Sequence, residues 1–168
     1  MDFKKYIDGA KKSAGGLRKL NFGLGLMIPF NKPHRIKVKS LEDDKIVTTI
    51  PYRRKNLNHI KGIHACALAT TAEFASGLLL LTKLEAKKYR LIMESIEMKY
   101  HYQAKMNVTA EFECTDQWIE ENVKGPLSQE DQVFVKCEIN LYDSNRNHIA
   151  TGYTNWQIKD WEKVKTKL

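Results

Sequence analysis

The chain reads as an α+β protein, with one curved antiparallel β-sheet wrapped around one long central helix and a helical extension ahead of both. Three observations predict this. The run over residues 63–81 is almost entirely apolar, and Glu73 is its only acid. Two strand-like segments precede the run and four follow it, separated by polar turns. After the run the apolar period changes from helical to two, and consecutive strands with short connections favour an antiparallel sheet. A helix that is apolar on nearly every side is buried on nearly every side, so the sheet must curve around it.

Each element follows from its pattern. Residues 2–19 predict an amphipathic helix, with Phe3, Tyr6, Ile7 and Ala10 at helical spacing, lysines elsewhere, and Gly15-Gly16 weakening its end. Residues 21–33 read as a loop punctuated by Gly23, Gly25, Pro29 and Pro33. Its Phe22, Leu24, Leu26, Met27 and Phe30 are expected to pack on the body. The Gly-x-Gly here lacks the third glycine and the strand context of a dinucleotide motif. Residues 35–41 and 45–52 predict two strands joined by the turn Glu42-Asp43-Asp44. A basic loop over 53–62 leads into a helix over about 63–83.

Beyond the helix, Ile92, Ile96, Met98, Tyr100 and Tyr102 share one face of a long strand. Met106, Val108, Ala110, Phe112 and Cys114 alternate with polar residues, as in a half-buried strand. Residues 117–130 read as a polar loop. Val133, Val135, Cys137, Ile139 and Leu141 alternate in the next strand, and 148–158 form the last one. From Asp160 the tail reads as a short helix. The expected organisation is an extension over 1–34, the sheet-and-helix domain over 35–160, and a tail over 161–168.

Bulk properties narrow the function classes. A length of 168 residues suffices for one buried core. The 42% apolar and 29% charged content is that of an ordinary globular protein, which sets aside disorder and fibrous repeats. The net charge of +8 invites an anionic partner. The basic residues are scattered, with Lys4, Lys5, Lys11, Lys12, Arg18 and Lys19 near the N-terminus, Lys159, Lys163, Lys165 and Lys167 in the last residues, and Arg53, Arg54 and Lys55 as the one compact cluster. No nucleic-acid-binding signature accompanies them, so no nucleic-acid partner is expected. Cys66, Cys114 and Cys137 are far apart and odd in number, which fits reduced thiols in the cytoplasm. No secretory apolar region opens the chain. Residues 63–81 are long enough to span a bilayer. However, His64, Thr70, Thr71, Glu73 and Ser76 lie within them, and strands follow, so a core helix is expected rather than a membrane span.

Glu73 carries the chemical question. An ionised carboxylate in an apolar helix costs free energy unless it is paired, hydrogen-bonded or protonated. Asn58 stands six residues before His64, small residues follow that histidine, and Glu73 stands nine after it. A curved antiparallel sheet around one helix is the hotdog fold, and with these spacings the stretch resembles the PaaI-like hotdog acyl-CoA thioesterases over about residues 35–158. The family usually has Gly-Gly after the histidine and a glycine three residues before it. This chain has Ala65-Cys66 and Lys61, with Gly62 one residue later.

The resemblance implies hydrolysis of a coenzyme A or acyl-carrier-protein thioester, with no cofactor beyond the coenzyme A of the substrate and no metal. Glu73 would be general base or nucleophile, and the Ala65 amide would polarise the carbonyl. Asn58 would orient water or carbonyl, and His64 would hold the loop or touch the thioester. Gly62 would line the substrate site, and Arg53, Arg54 and Lys55 would meet the phosphates. A homodimer or homotetramer with the pocket between subunits is also implied.

Other readings stand beside this one. Glu73 can be a satisfied core acid, His64 a packing residue, Asn58 a turn residue, and the basic cluster a solvated rim. The Ala65-Cys66 departure suggests a module that binds acyl thioesters or a protein partner without turnover. His59 and Glu73, fourteen apart, match the spacing of the hotdog 3-hydroxyacyl dehydratase pair. Against that, residues 59–73 contain no proline, and no Asp-x-Asn-Pro-x-His motif occurs.

Overall fold

The computed structural model describes residues 3–164, and Phe3 by its backbone alone. Residues 165–168, half of the expected tail, lie outside the described residues. The N-terminal extension is a hairpin of α1 (Phe3–Lys12) and α2 (Ala14–Met27). Between them Ser13 is extended, and its hydroxyl accepts from the Gly16 N–H, capping α2. The single helix expected over 2–19 is therefore two. Gly16 does not fray a helix end. It lets the helices cross closely, because a Cβ there would lie 1.9 Å from the Gly9 carbonyl oxygen.

The loop expected over 21–33 is a correction of the same kind. α2 continues through Gly23 and Gly25 to Met27. Leu20 and Leu24, one turn apart, are buried in the common core. Burial of each such side chain, about 1.5–3 kcal/mol, outweighs the roughly 1 kcal/mol that a helical glycine costs. Asn21 then clamps α2 to the sheet edge: its Oδ1 accepts from the Val38 N–H at 2.8 Å and its Nδ2 donates to the Val38 carbonyl at 2.9 Å. A single helical turn, α3 (Asn31–His34), ends at Arg35 in the left-handed region, φ 55°.

The six strands are β1 (Lys37–Leu41), β2 (Lys45–Ile50), β3 (Tyr89–Tyr100), β4 (Val108–Glu113), β5 (Gln132–Asp143) and β6 (His148–Asp160), in the order β1-β2-β4-β5-β6-β3. Every pairing is antiparallel. α4 (Ala65–Lys83) packs against β2, β3, β4, β5 and β6. It is long and apolar enough to cross a membrane, but Ala72, Ala75, Leu79 and Leu80 are wholly buried in the body. It is the core helix of a hotdog fold. Val133, Val135, Cys137, Ile139 and Leu141 all face inward, as their alternation predicts.

Two segments depart from expectation. β3 carries a bulge between Met93 and Ser95, which moves the inward face by one residue. Leu91 and Met93 pack inward before it and Met98 after it, so Ile92 is exposed rather than sharing a face with Met98. The polar loop expected over 117–130 is largely helical, formed by α5 (Asp116–Ile119), a π turn (Glu120–Lys124) and α6 (Gly125–Leu127). Thr115 caps it by accepting from the Trp118 N–H, and Ile119 and Val123, four apart, are buried beneath it. At the other end Trp161–Lys163 make one 3₁₀ turn, capped by Asp160.

Candidate functional site

The segment between β2 and α4 is held by a residue the sequence reading passed over. Buried Asn56 donates through Nδ2 to the carbonyls of His34, 3.0 Å, and Pro51, 2.8 Å. Its own carbonyl accepts from the His64 N–H at 2.8 Å. The loop is thus tied to the extension on one side and to the start of α4 on the other. A polar residue immediately before apolar Leu57 was the available sign.

Asn58 shapes the next turn. Its Oδ1 accepts from the backbone N–H groups of Ile60, 3.1 Å, and Gly62, 3.0 Å. Lys61 adopts φ 59° at the reversal. Gly62 is buried in this turn, where a Cβ would meet the Gln103 side chain at 2.8 Å. His64 caps α4: its Nδ1 accepts from the Cys66 N–H at 3.1 Å. In the neutral imidazole this bond selects the tautomer with the proton on Nε2. Both residues therefore hold the loop, as the structural readings of each proposed.

Ala65 is the first helical residue. Its exposed N–H has no acceptor among the described residues, as expected at a helix start. Its carbonyl accepts from the Tyr100 hydroxyl at 3.0 Å, which ties the end of β3 to the helix N-terminus. A cleft of about 330 Å³ opens here, lined by Asn58, Ile63, Ala65, Leu68, Tyr100 and Gln103 among others. Tyr100 is one of the residues, with Phe74, Leu78 and Met98, that the sequence offers as facing a pocket, and it lies at this one.

Glu73 is not in that cleft. It lies eight residues further along α4, about 12 Å at the helical rise. Its half-buried carboxylate forms no hydrogen bond or ion pair among the described residues. Gly77, one turn on, leaves room for the Trp156 indole, since a Cβ there would lie 2.8 Å from that ring and 3.7 Å from Glu73 Oε1. Trp156 is itself anchored, donating from Nε1 to Ser76 Oγ and Thr154 Oγ1. Burial in this apolar setting pushes the Glu73 carboxyl up from its ordinary range. Within one chain, then, the fold gathers Asn58, Gly62, His64 and Ala65 and leaves Glu73 two turns away.

Arg53, Arg54 and Lys55 ring the turn before the site and form no ion pair among the described residues. Lys55 borders a second depression, about 200 Å³, with Phe30, His34, Leu57, His64 and Cys66. His59 is exposed on the loop, outside the cleft. The described residues contain no cluster of three His, Cys, Asp or Glu that could hold a metal. All three cysteines are free, and burial lifts the thiols of Cys114 and Cys137 to about 12.

With this geometry the chain can be set beside known proteins. Residues 16–164 match the family described as a domain of unknown function, DUF4442. The chain belongs to that family. No curated protein matches it. Among solved structures, a Pseudomonas aeruginosa protein of unknown function described as a "probable thioesterase" is similar at TM-score 0.78 and 22% identity, over 85% of this chain and 95% of that one. A Haemophilus influenzae thioesterase is similar at TM-score 0.68 and 14% identity, over 90% and 95%. A Staphylococcus aureus thioesterase is similar at TM-score 0.63 and 16% identity, over 78% and 98%. At these identities the likeness establishes the hotdog fold for this DUF4442 protein, and thioesterase remains the name of its neighbours.

Proposed function

We propose that this DUF4442 protein hydrolyses acyl thioesters, of coenzyme A or of acyl-carrier protein, through a site completed between two subunits. The observation that carries the reading is Glu73, a desolvated carboxylate with no partner among the described residues, on a buried helix whose first residue lines a cleft and whose first N–H has no acceptor there. A carboxylate with a raised pKa suits a general base near neutral pH. It takes a proton from water, and the hydroxide adds to the thioester carbonyl carbon. The Ala65 N–H stabilises the oxyanion. The carbon–sulfur bond then breaks, and the departing sulfur takes the proton back from Glu73. The products are a carboxylic acid and a free thiol.

One chain separates these parts by about 12 Å along the helix, so the reading requires a dimer. β3 forms an edge of the sheet and leaves one side of twelve residues without a strand neighbour. Antiparallel pairing of two such edges sets two α4 helices side by side in opposite directions, with Glu73 of one protomer near the Ala65 amide of its partner. Arg53, Arg54 and Lys55 then offer unpaired cations to the phosphates of coenzyme A. The free thiols accord with a cytoplasmic setting.

A second reading is a module that binds the thioester without turnover. It is favoured by the commitment of Asn58 Oδ1 and His64 Nδ1 to backbone amides, which removes both acceptors from catalysis. Free-thiol release from a panel of short, long and aromatic acyl-CoAs separates the two. Turnover that disappears in Glu73→Gln supports hydrolysis. Acyl-CoA binding by calorimetry with no thiol released supports the module. A protein that stays monomeric at assay concentration removes the shared-site argument.

A further inference from the structure

The charge of this chain is unevenly placed. Residues 1–41 hold ten Lys or Arg against two Asp, which equals the whole excess of +8, while the other 127 residues hold eighteen basic and eighteen acidic side chains. No acid occurs between Asp8 and Glu42. In the fold its described residues, from Phe3 on, form the α1–α2 hairpin with α3 and β1.

α2 buries Leu20, Gly23 and Leu24. Its opposite face, at spacings of three and four, carries Arg18, Lys19, Phe22 and Leu26. Phe22 is 73% exposed, Leu26 58%, Met27 59% and Phe30 62%. Four large apolar side chains are thus presented to solvent within nine residues, in the most basic part of the chain. Arg18, Lys19 and Lys32 beside them are exposed and form no ion pair among the described residues. A soluble helix normally turns such residues inward, so this face needs a cover.

We infer that the α2 face is a docking surface for an anionic lipid bilayer. Phe22 and Leu26 enter the headgroup–acyl boundary, Arg18 and Lys19 on the same face lie at the level of the anionic headgroups, and exposed Phe30 and Lys32 follow in the next turn of the chain. This is the pattern of a helix that lies on a membrane rather than across it. Charge selects the occupant. A second copy of the chain would bring the same positive segment against this one, which repels. A single-stranded nucleic acid would satisfy the cations and stack on Phe22 and Phe30, but it would leave Leu26 without an apolar partner. A bilayer with anionic lipids uses both features at once. Phe30 also borders the depression that Lys55 and His64 line, so the docked face lies beside the start of α4. The inference does not depend on the hydrolase reading.

The test is co-sedimentation of the full chain with vesicles of phosphatidylcholine containing about one-third phosphatidylserine, and with phosphatidylcholine alone, at about 0.1 M and 0.5 M salt. Two variants accompany it, F22S/L26S/F30S and R18E/K19E. All five positions are exposed, and circular dichroism and thermal melting check that each variant is folded. The wild type is expected to bind anionic vesicles at low salt, with partitioning at least about tenfold weaker on neutral vesicles, at high salt, and in each variant. Failure of the wild type to sediment with anionic vesicles overturns the inference. So does undiminished binding by folded F22S/L26S/F30S, which would mean simple electrostatic adsorption. Dissociation of a lipid-free oligomer by that variant would assign the face to a second copy. Displacement from vesicles by a generic DNA duplex with R18E/K19E insensitive to lipid would assign it to nucleic acid.

Discussion

Glu73→Gln separates a catalytic acid from a structural one by two readouts that move in opposite directions. The glutamine keeps the size of the side chain and removes its charge. In the fold Glu73 has no donor among the described residues, and burial raises its pKa. A carboxyl whose folded pKa lies above its unfolded value adds stability that is fully present below the unfolded pKa and is lost as pH rises through the folded one. Above the folded pKa the wild type therefore carries an ionised, desolvated group that the variant lacks. Each pKa unit of upward shift corresponds to about 1.4 kcal/mol in favour of the variant, or about 2–4 °C in Tm for a chain of this size. Toward pH 4 and below, where the glutamate becomes mostly neutral in both states, the two melting curves should converge. Activity should move the other way. Loss of a general base costs about 10²- to 10⁴-fold, equivalent to about 2.7–5.5 kcal/mol of barrier. Melting curves from pH 4 to 8 and thiol release at pH 8 are the assays. A variant less stable than wild type at pH 8 would show that the carboxylate has a stabilising partner and would refute the reasoning. A more stable variant with unchanged turnover would keep the electrostatics and remove the catalysis.

Three further outcomes are expected. Gly16→Ala places a Cβ 1.9 Å from the Gly9 carbonyl oxygen, so α1 must move off α2. With Ile7 and Ala10 uncovered, the cost is about 2–4 kcal/mol by urea denaturation, and an unchanged midpoint would contradict the close crossing. In an Ellman titration of the native protein only exposed Cys66 should react promptly, because Cys114 and Cys137 are buried with pKa about 12; all three should react in denaturant. Lys83 is 6% exposed and lies against Asp44 and Asp116. The bond from Lys83 holds Asp116 below the usual carboxylate range, while burial opposes and the two acids outweigh it in lifting Lys83 above its usual value. Lys83→Met should therefore destabilise most between the two ranges. The difference from wild type should shrink as pH falls through the lowered Asp116 pKa or rises through the raised Lys83 pKa, and a pH-independent difference would discount the pair.

The sequence by itself determined the large-scale order of this protein. A strict period of two in Val133–Leu141 can bury only one face, and a helix apolar on every side can sit only in the middle, so sheet and central helix followed from pattern. It also singled out Glu73, because an acid in an apolar run is costly wherever the helix packs. What tertiary structure decided are the places where a local signal lost to a contact. Gly23 and Gly25 read as loop residues, yet burial of Leu20 and Leu24 and the clamp of Asn21 on Val38 keep them helical. The bulge at Met93/Ser95 turned Ile92 outward while Met98 kept the inward face, since a ladder irregularity depends on the partner strand β6 rather than on β3 alone. Asn56 became the anchor of the site loop only when the extension came to rest beside it and offered the His34 carbonyl. The separation of Glu73 from the Ala65 amide has the same character. Spacing along the chain places both on one helix, but only the packing of helices and of sheet edges can bring a carboxylate to an amide about 12 Å away.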